Sequence, residues 1–176
     1  MRLQDIITSA RSLARTGWML RGVPPSMAET VSSHSFAAAL LALELARRVG
    51  VDPYRAAAIA LVHDLAETRV GDIAKVSGID EAKRSAELRA LDELEVSDLV
   101  RSLVREFYES KSDEAVIARA ADLAATVMAS RYYRSLGLPV DEIEQSSLKE
   151  LDRLTSSWNN GRRLGEALRE IGVYRD

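Results

Sequence analysis

"ALVHDLAETRVGD", residues 60–72, sets one of the chain's two histidines beside an aspartate, inside a stretch that otherwise reads as a buried helix. Just upstream, "VDPYRAA", residues 51–57, offers Asp52 as an N-cap and Pro53 for the first helical turn. At about 100° per residue, Ala56, Ile59, Ala60 and His63 share one broad stripe, Asp64 lies at its edge, and Glu67 follows one turn on. The spacing predicts a single helix through Glu67, with "TRVGDIAKVSGID", residues 68–80, as the next irregular segment.

The remaining punctuation is also helical. Leu3, Ile6, Ile7, Ala10 and Leu13 mark a first helix over about 3–14, which "TGWMLRGVPPS", residues 16–26, breaks into a structured loop. A helix over about 32–49 has Ser32 or Ser33 as its expected cap and Gly50 as its stop. Its apolar residues surround the axis, with Phe36, Leu40 and Leu43 on one side and Ala38, Leu41 and Leu45 on the other. That pattern predicts a central helix covered on both sides. Further helices are expected at 80–94, 97–109, 113–136, 141–156 and 161–171, with Gly137 and Pro139 between the last long pair. No strand alternation, repeat or linker interrupts them, so the reading is all-α and one domain over 1–176.

Composition narrows the function. Hydrophobic residues make up 47% and charged ones 29%, as in a folded globular protein. A net charge of −3 supplies no broad basic field, so a nucleic-acid polymer is not an expected partner. With no cysteine, thiolate metal sites, iron–sulfur clusters, disulfides and cysteine nucleophiles are excluded. The longest apolar runs, "FAAALLAL" and "AAAIALV", are too short to span a bilayer. The amphipathic N-terminus lacks the apolar core of a signal peptide, which makes the cytoplasm the expected location.

Four polar residues do not suit a helical core. His34 shares a face with Ala37, Ala38, Leu41 and Leu45; His63 lies on the stripe described above; Asp122 sits mid-helix among Ala118, Ala125, Thr126 and Ala129. Each has an ordinary alternative: a satisfied core histidine in the first two cases, and an aspartate paired with Arg119 or Arg15 in the third. Burying Asp64 and Glu67 unpaired costs on the order of several kcal/mol each, and a divalent cation relieves that by accepting imidazole and carboxylate together. His34, His63, Asp64 and Asp122 thus form a possible N2O2 ligand set from three helices. Such a set suits manganese, cobalt, iron or nickel better than magnesium or zinc.

"SSHS", then "LVHDLAE" and "VGDI", then an isolated aspartate in a later helix, resemble the HD-domain metal-dependent phosphohydrolases, in particular the small 5'-deoxynucleotidases. The resemblance implies a helical bundle with a metal site between central helices, a motif-bearing core over about 15–136 and C-terminal packing helices over 141–171. It implies one divalent ion per subunit on His34, His63, Asp64 and Asp122, with Glu67 and Asp72 as the acidic pair near the attacking water and leaving group. The segment "RTGWMLRGV", residues 15–23, implies that Arg15 and Trp18, with Arg21, hold phosphate and nucleoside. The expected activity is hydrolysis of deoxynucleoside 5'-monophosphates by a homodimer.

Two departures stand out. Ser33 occupies the position where the family carries an acidic residue, so a charged partner for the first histidine is expected to be missing, and Leu123 replaces a lysine after the aspartate. Losses around metal ligands commonly cost about 10–100-fold in affinity or activity. Competing readings are a phosphodiesterase or nucleoside triphosphate phosphohydrolase, disfavoured because only Arg15 and Arg21 are evident cations, and a non-catalytic, metal-stabilised binding protein. For the individual residues, the alternatives are a salt bridge from Glu67 to Arg69 or a lysine, an N-cap of the "IAKV" turn for Asp72, a surface position for Arg15 and a core position for Trp18. Tyr108 and "RYYR", residues 131–134, read as core and dimer surface.

Overall fold

A computed structural model describes residues 1–73 and 80–175. Among these residues the secondary structure is helical: α1 (Leu3–Ser12), α2 (Thr16–Met19), α3 (Val31–Val49), α4 (Pro53–Val62), α5 (Glu67–Val70), α6 (Asp80–Asp92), α7 (Asp98–Glu109), α8 (Asp113–Ser135), α9 (Asp141–Ser157) and α10 (Gly161–Glu170). The only extended pairing among them is an isolated bridge between Ala14 and Thr30, which closes the loop around α2.

Helix starts follow local chemistry. The Asp52 carboxylate accepts from the Tyr54 and Arg55 amides at 2.9 and 3.2 Å, and Pro53 opens α4, as the sequence predicts. For α3 the expected cap is corrected. Thr30 is the N-cap and Ser33 closes a reciprocal box, its Oγ accepting from the Thr30 amide at 2.8 Å. Gly50 ends α3 with φ 89°, a left-handed position that favours glycine.

The helix carrying His63 does not continue to Glu67. It ends at Val62, and residues 63–66 form tight turns with the Leu65 amide on the Val62 carbonyl and the Glu67 amide on the Asp64 carbonyl, each at 3.0 Å. Bonds three residues apart wind the chain more tightly than an α-helix, so Asp64 and Glu67 leave the directions that a continuous helix assigns them.

The centre of the molecule is α8, which packs against α3, α4, α7 and α9. Its buried residues include Ala115, Ala118, Ala120, Ala121, Ala124 and Ala125, small side chains that let neighbouring backbones approach closely. α3 is central as expected, packing against α1, α4, α8 and α10, but the expected cover on both its sides is corrected. Its Ala38, Ala42, Leu45 and Ala46 face is buried, whereas Phe36 and Leu40 are 68% and 52% exposed, so one apolar side remains at the surface.

Candidate metal centre

The packing of α3, α4 and α8 converges on three buried polar side chains. His34 lies one turn into α3, His63 caps the C-terminus of α4, and Asp122 sits midway along α8. One ligand atom from each lies within 4.8 Å of the other two. His34 Nε2 is 3.0 Å from Asp122 Oδ1, and His63 Nε2 is 3.7 Å from the same oxygen. Asp64 stands beside this trio, with its Oδ2 3.1 Å from His63 Nε2.

The donor set fits a cation. His63 Nδ1 is 2.6 Å from the Ala60 carbonyl, an acceptor, so that nitrogen carries the proton and the Nε2 lone pair is turned toward the carboxylates. His63 Nε2 is buried without a hydrogen-bond partner among the described residues. Two carboxylates aimed at one lone pair repel it unless a proton or a metal ion stands between them. The protonated form shows this pressure. Burial pulls the His63 pKa down, but the charges of Asp64 and Asp122 and their hydrogen bonds outweigh it and push it up to about 10. Burial raises Asp64 and Asp122, yet the neighbouring imidazoles hold both carboxyls below the usual range.

Glu29 supplies the carboxylate that the Ser33 position lacks. Its Oε1 lies 3.5 Å from His34 Nδ1, accepts from Trp18 Nε1 at 2.9 Å and sits 3.6 Å from Arg15. Burial opposes its charge, but the contact with His34 and the Arg15 guanidinium hold its pKa below the usual value. The expectation of a missing charged partner for the first histidine is therefore corrected: the partner comes from five residues upstream, outside α3. Ser33 itself is exposed and engaged in the Thr30 cap.

Above the trio opens a cavity of about 670 Å3, lined by Asp64 and Asp122 on one wall and by Arg15, Trp18, Arg21, Glu67, Asp72 and Lys83 around it. Glu67 is buried. It pairs with Lys83 at 2.9 Å, not with Arg69, which reaches Glu93. Burial and the Asp64 charge raise its pKa to about 9 in spite of Lys83. The Asp72 carboxylate accepts from the Thr16 amide, and Thr16 Oγ1 donates to the Asp72 carbonyl at 2.8 Å, which ties this loop to the start of α2. The alternative of Asp72 capping "IAKV" falls on residues 74–76, outside the described residues.

Arg15 is partly buried rather than a free surface side chain, and one guanidinium nitrogen has no hydrogen-bond partner among the described residues. Trp18 is 2% exposed and packs on Tyr133 with ring centroids 5.0 Å apart, so it forms part of the cavity wall more than an open platform. Arg21 reaches across to Glu142 of α9 at 2.6 Å. Tyr108, expected in the core, also lines the cavity and donates to Glu87 at 2.7 Å. Of the paired "RYYR" tyrosines, Tyr133 is buried and Tyr132 is exposed.

Arg119 contacts Asp122 at 3.7 Å and Glu150 at 2.8 Å, with its guanidinium 5.5 Å above Phe107. Glu29, Lys83 and the cavity-facing placement of Arg119 are the features that helical spacing does not reveal. The "AET" preceding "VSSHS" is the one local signal for Glu29, an acid just before a helix cap.

The described residues thus form a helical bundle with a buried His–His–Asp cluster compatible with a divalent metal ion. The HD domain family model matches residues 7–156, and the chain belongs to the HD-domain family. Over 84 residues it is 32% identical to 5'-deoxynucleotidase HDDC2 of Danio rerio, covering 48% of this chain and 40% of that protein. Over 143 residues it is 31% identical to 5'-deoxynucleotidase HDDC2 of Mus musculus, covering 77% of this chain and 70% of the relative. Among solved structures, the PH0347 protein from Pyrococcus horikoshii OT3 superposes with a TM-score of 0.80 at 26% identity over 95% of each chain.

Proposed function

We propose that this chain is a metal-dependent 5'-deoxynucleotidase that hydrolyses deoxynucleoside 5'-monophosphates to deoxynucleoside and phosphate. The observation that carries the reading is the His34, His63 and Asp122 cluster lying directly behind a cavity that holds both a guanidinium and a buried acid. The activity named for the zebrafish and mouse relatives agrees with it.

His34, His63, Asp122 and the adjacent Asp64 would hold the ion, with manganese, cobalt, iron or nickel favoured by the nitrogen–oxygen donor set. When bound, the ion supplies Lewis-acid charge toward a phosphoryl oxygen and an acidified water. Arg15 presents a planar fork for phosphate oxygens. Glu67 orients the water or takes its proton, and Asp72 faces the leaving 5'-oxygen or a sugar hydroxyl. Trp18 forms the wall against the nucleoside, and Arg21 stands at the α9 side of the cavity.

The cavity lining carries five basic and seven acidic side chains, and Arg21, Lys83 and Arg119 are each held by glutamates. That balance favours a monophosphate over a triphosphate, whose greater negative charge calls for free cations. The exposed apolar side of α3, with Phe36 and Leu40, is suited to a second copy of the chain in a homodimer. Among the described residues no helix is long and apolar enough to cross a membrane, and the lack of cysteine agrees with a cytoplasmic setting.

The test strips the protein with chelator and measures phosphate release from deoxy- and ribonucleoside mono- and triphosphates, restoring one metal at a time. Release from dAMP or dGMP, and not from AMP, is expected with manganese or cobalt. Equal release from AMP or preferential attack on triphosphates would reject the assignment.

A further inference from the structure

Lys83 of α6 is the group for which the reading above assigns no task. Its ammonium lies at the cavity wall against three oxygens: Glu67 Oε1 at 2.9 Å, the Ile73 carbonyl at 2.8 Å and Glu87 Oε1 at 3.4 Å. An ammonium has three diverging protons; here it donates to Glu67 and to the Ile73 carbonyl and forms an ion pair with Glu87. The other Glu87 oxygen accepts from Tyr108 of α7, so this carboxylate is braced from behind. Glu67 Oε2 remains buried and without a hydrogen-bond partner among the described residues. Ile73 directly follows Asp72, whose carboxylate accepts from the Thr16 amide.

We propose that Lys83 is a positioning residue that sets both acids of the cavity at once. It holds Glu67 by one oxygen, leaving the other free to meet a water or a substrate proton. Through the Ile73 carbonyl it also fixes the backbone that carries Asp72. The proposal rests on the phosphomonoesterase reading for its kinetic consequence, but its geometric consequence stands apart from that reading. A general fold-stabilising lysine needs no such convergence on two pocket acids from two separate segments. Arginine would keep the charge, but a planar fork does not reproduce an ammonium that diverges toward Glu67, Glu87 and the Ile73 carbonyl.

The chain's lack of cysteine permits a direct test. Lys83→Cys introduces a single thiol, and alkylation with 2-bromoethylamine displaces bromide from carbon with the thiolate sulfur, restoring an ammonium on a side chain of nearly lysine length. Lys83→Met and Lys83→Arg serve as uncharged and charged controls. The metal-loaded proteins are assayed for phosphate release from dAMP, and hydrogen exchange of the Thr16 amide reads the Asp72 loop without reference to activity.

For Lys83→Met and unmodified Lys83→Cys, kcat is expected to fall tenfold or more with KM within about threefold, and Thr16 exchange to speed up tenfold or more. Alkylation is expected to recover both, and Lys83→Arg neither. Wild-type exchange in Lys83→Met or in unmodified Lys83→Cys would overturn the proposal, as would full activity in Lys83→Arg or no recovery on alkylation. Should Lys83→Met not fold, the comparison of Lys83→Cys before and after alkylation decides alone. Should the wild type release no phosphate, the functional reading fails while the exchange measurement still judges Lys83.

Discussion

Replacing Glu29 with glutamine removes one charge from beneath the first histidine while leaving the backbone contacts of residue 29 in place. The side chain's Oε1 accepts from Trp18 Nε1 at 2.9 Å and lies at ion-pair distance from His34 Nδ1 and Arg15, 3.5 and 3.6 Å. A carboxylate behind a ligating imidazole fixes which nitrogen bears the proton and makes the other a stronger donor to metal. Loss of such a partner commonly costs about 10–100-fold in affinity. That corresponds to about 1.4–2.7 kcal/mol of binding free energy. Glutamine still offers an acceptor to Trp18, so Glu29→Gln belongs near the tenfold end and Glu29→Ala near the hundredfold end. Calorimetric titration of chelator-stripped protein with Mn2+ or Co2+ measures both. Ser33→Glu is the control: residue 33 faces the helix cap, and glutamate there can preserve the capping box, so metal affinity should stay within about twofold of wild type. A folded Glu29→Gln protein that binds metal as tightly as wild type would refute the reasoning, as would a Ser33→Glu protein that binds much more tightly.

Two further expectations separate the remaining parts of the site. His63→Ala should abolish metal binding, whereas Glu67→Ala should keep the metal and lose most turnover, as read by titration beside the phosphate assay; an active Glu67→Ala protein would reject the role given to that acid. The metal-free protein should lose stability as pH rises. The imidazolium of His63, pushed up to about 10, contributes in full below its ordinary value of 6.5, and that contribution disappears as pH climbs through 10. Glu67 acts in the same direction, because the folded chain keeps its proton up to about 9 while the unfolded chain releases it near 4.5. Thermal melts from pH 6 to 10 should show this decline in chelator and a weaker one with saturating metal; a flat profile in chelator would contradict it.

The helical class of this chain is legible because apolar spacing, caps and glycine stops agree with one another along most of its length. Asp52 with Pro53 and Gly50 mark helix ends by local chemistry that tertiary packing does not alter. The misreadings have tertiary causes. A stripe extrapolated through residues 63–67 cannot register the tighter winding that ends α4 at Val62, since Leu65 and Ala66 are strong helix formers whose local preference is overridden there. Phe36 and Leu40 look like core residues to any periodicity, because hydrophobic character does not state what covers it. His34, His63, Asp64 and Asp122 stand out as polar residues on apolar faces, and the packing of α3, α4 and α8 brings the first, second and fourth together. Glu29 and Lys83 escape such reading. One lies in a loop with no periodicity, and the other meets Glu67 across sixteen residues of chain, where charge complementarity has no fixed spacing.

The proposed site holds one cation between two imidazoles and two carboxylates where α3, α4 and α8 meet. Anomalous diffraction from crystals loaded with cobalt or manganese tests it most directly. One strong peak per chain is expected, bonded at about 2.0–2.3 Å to His34, His63, Asp64 and Asp122. A peak elsewhere, or one at this place that leaves either histidine or Asp122 unbonded, would contradict it.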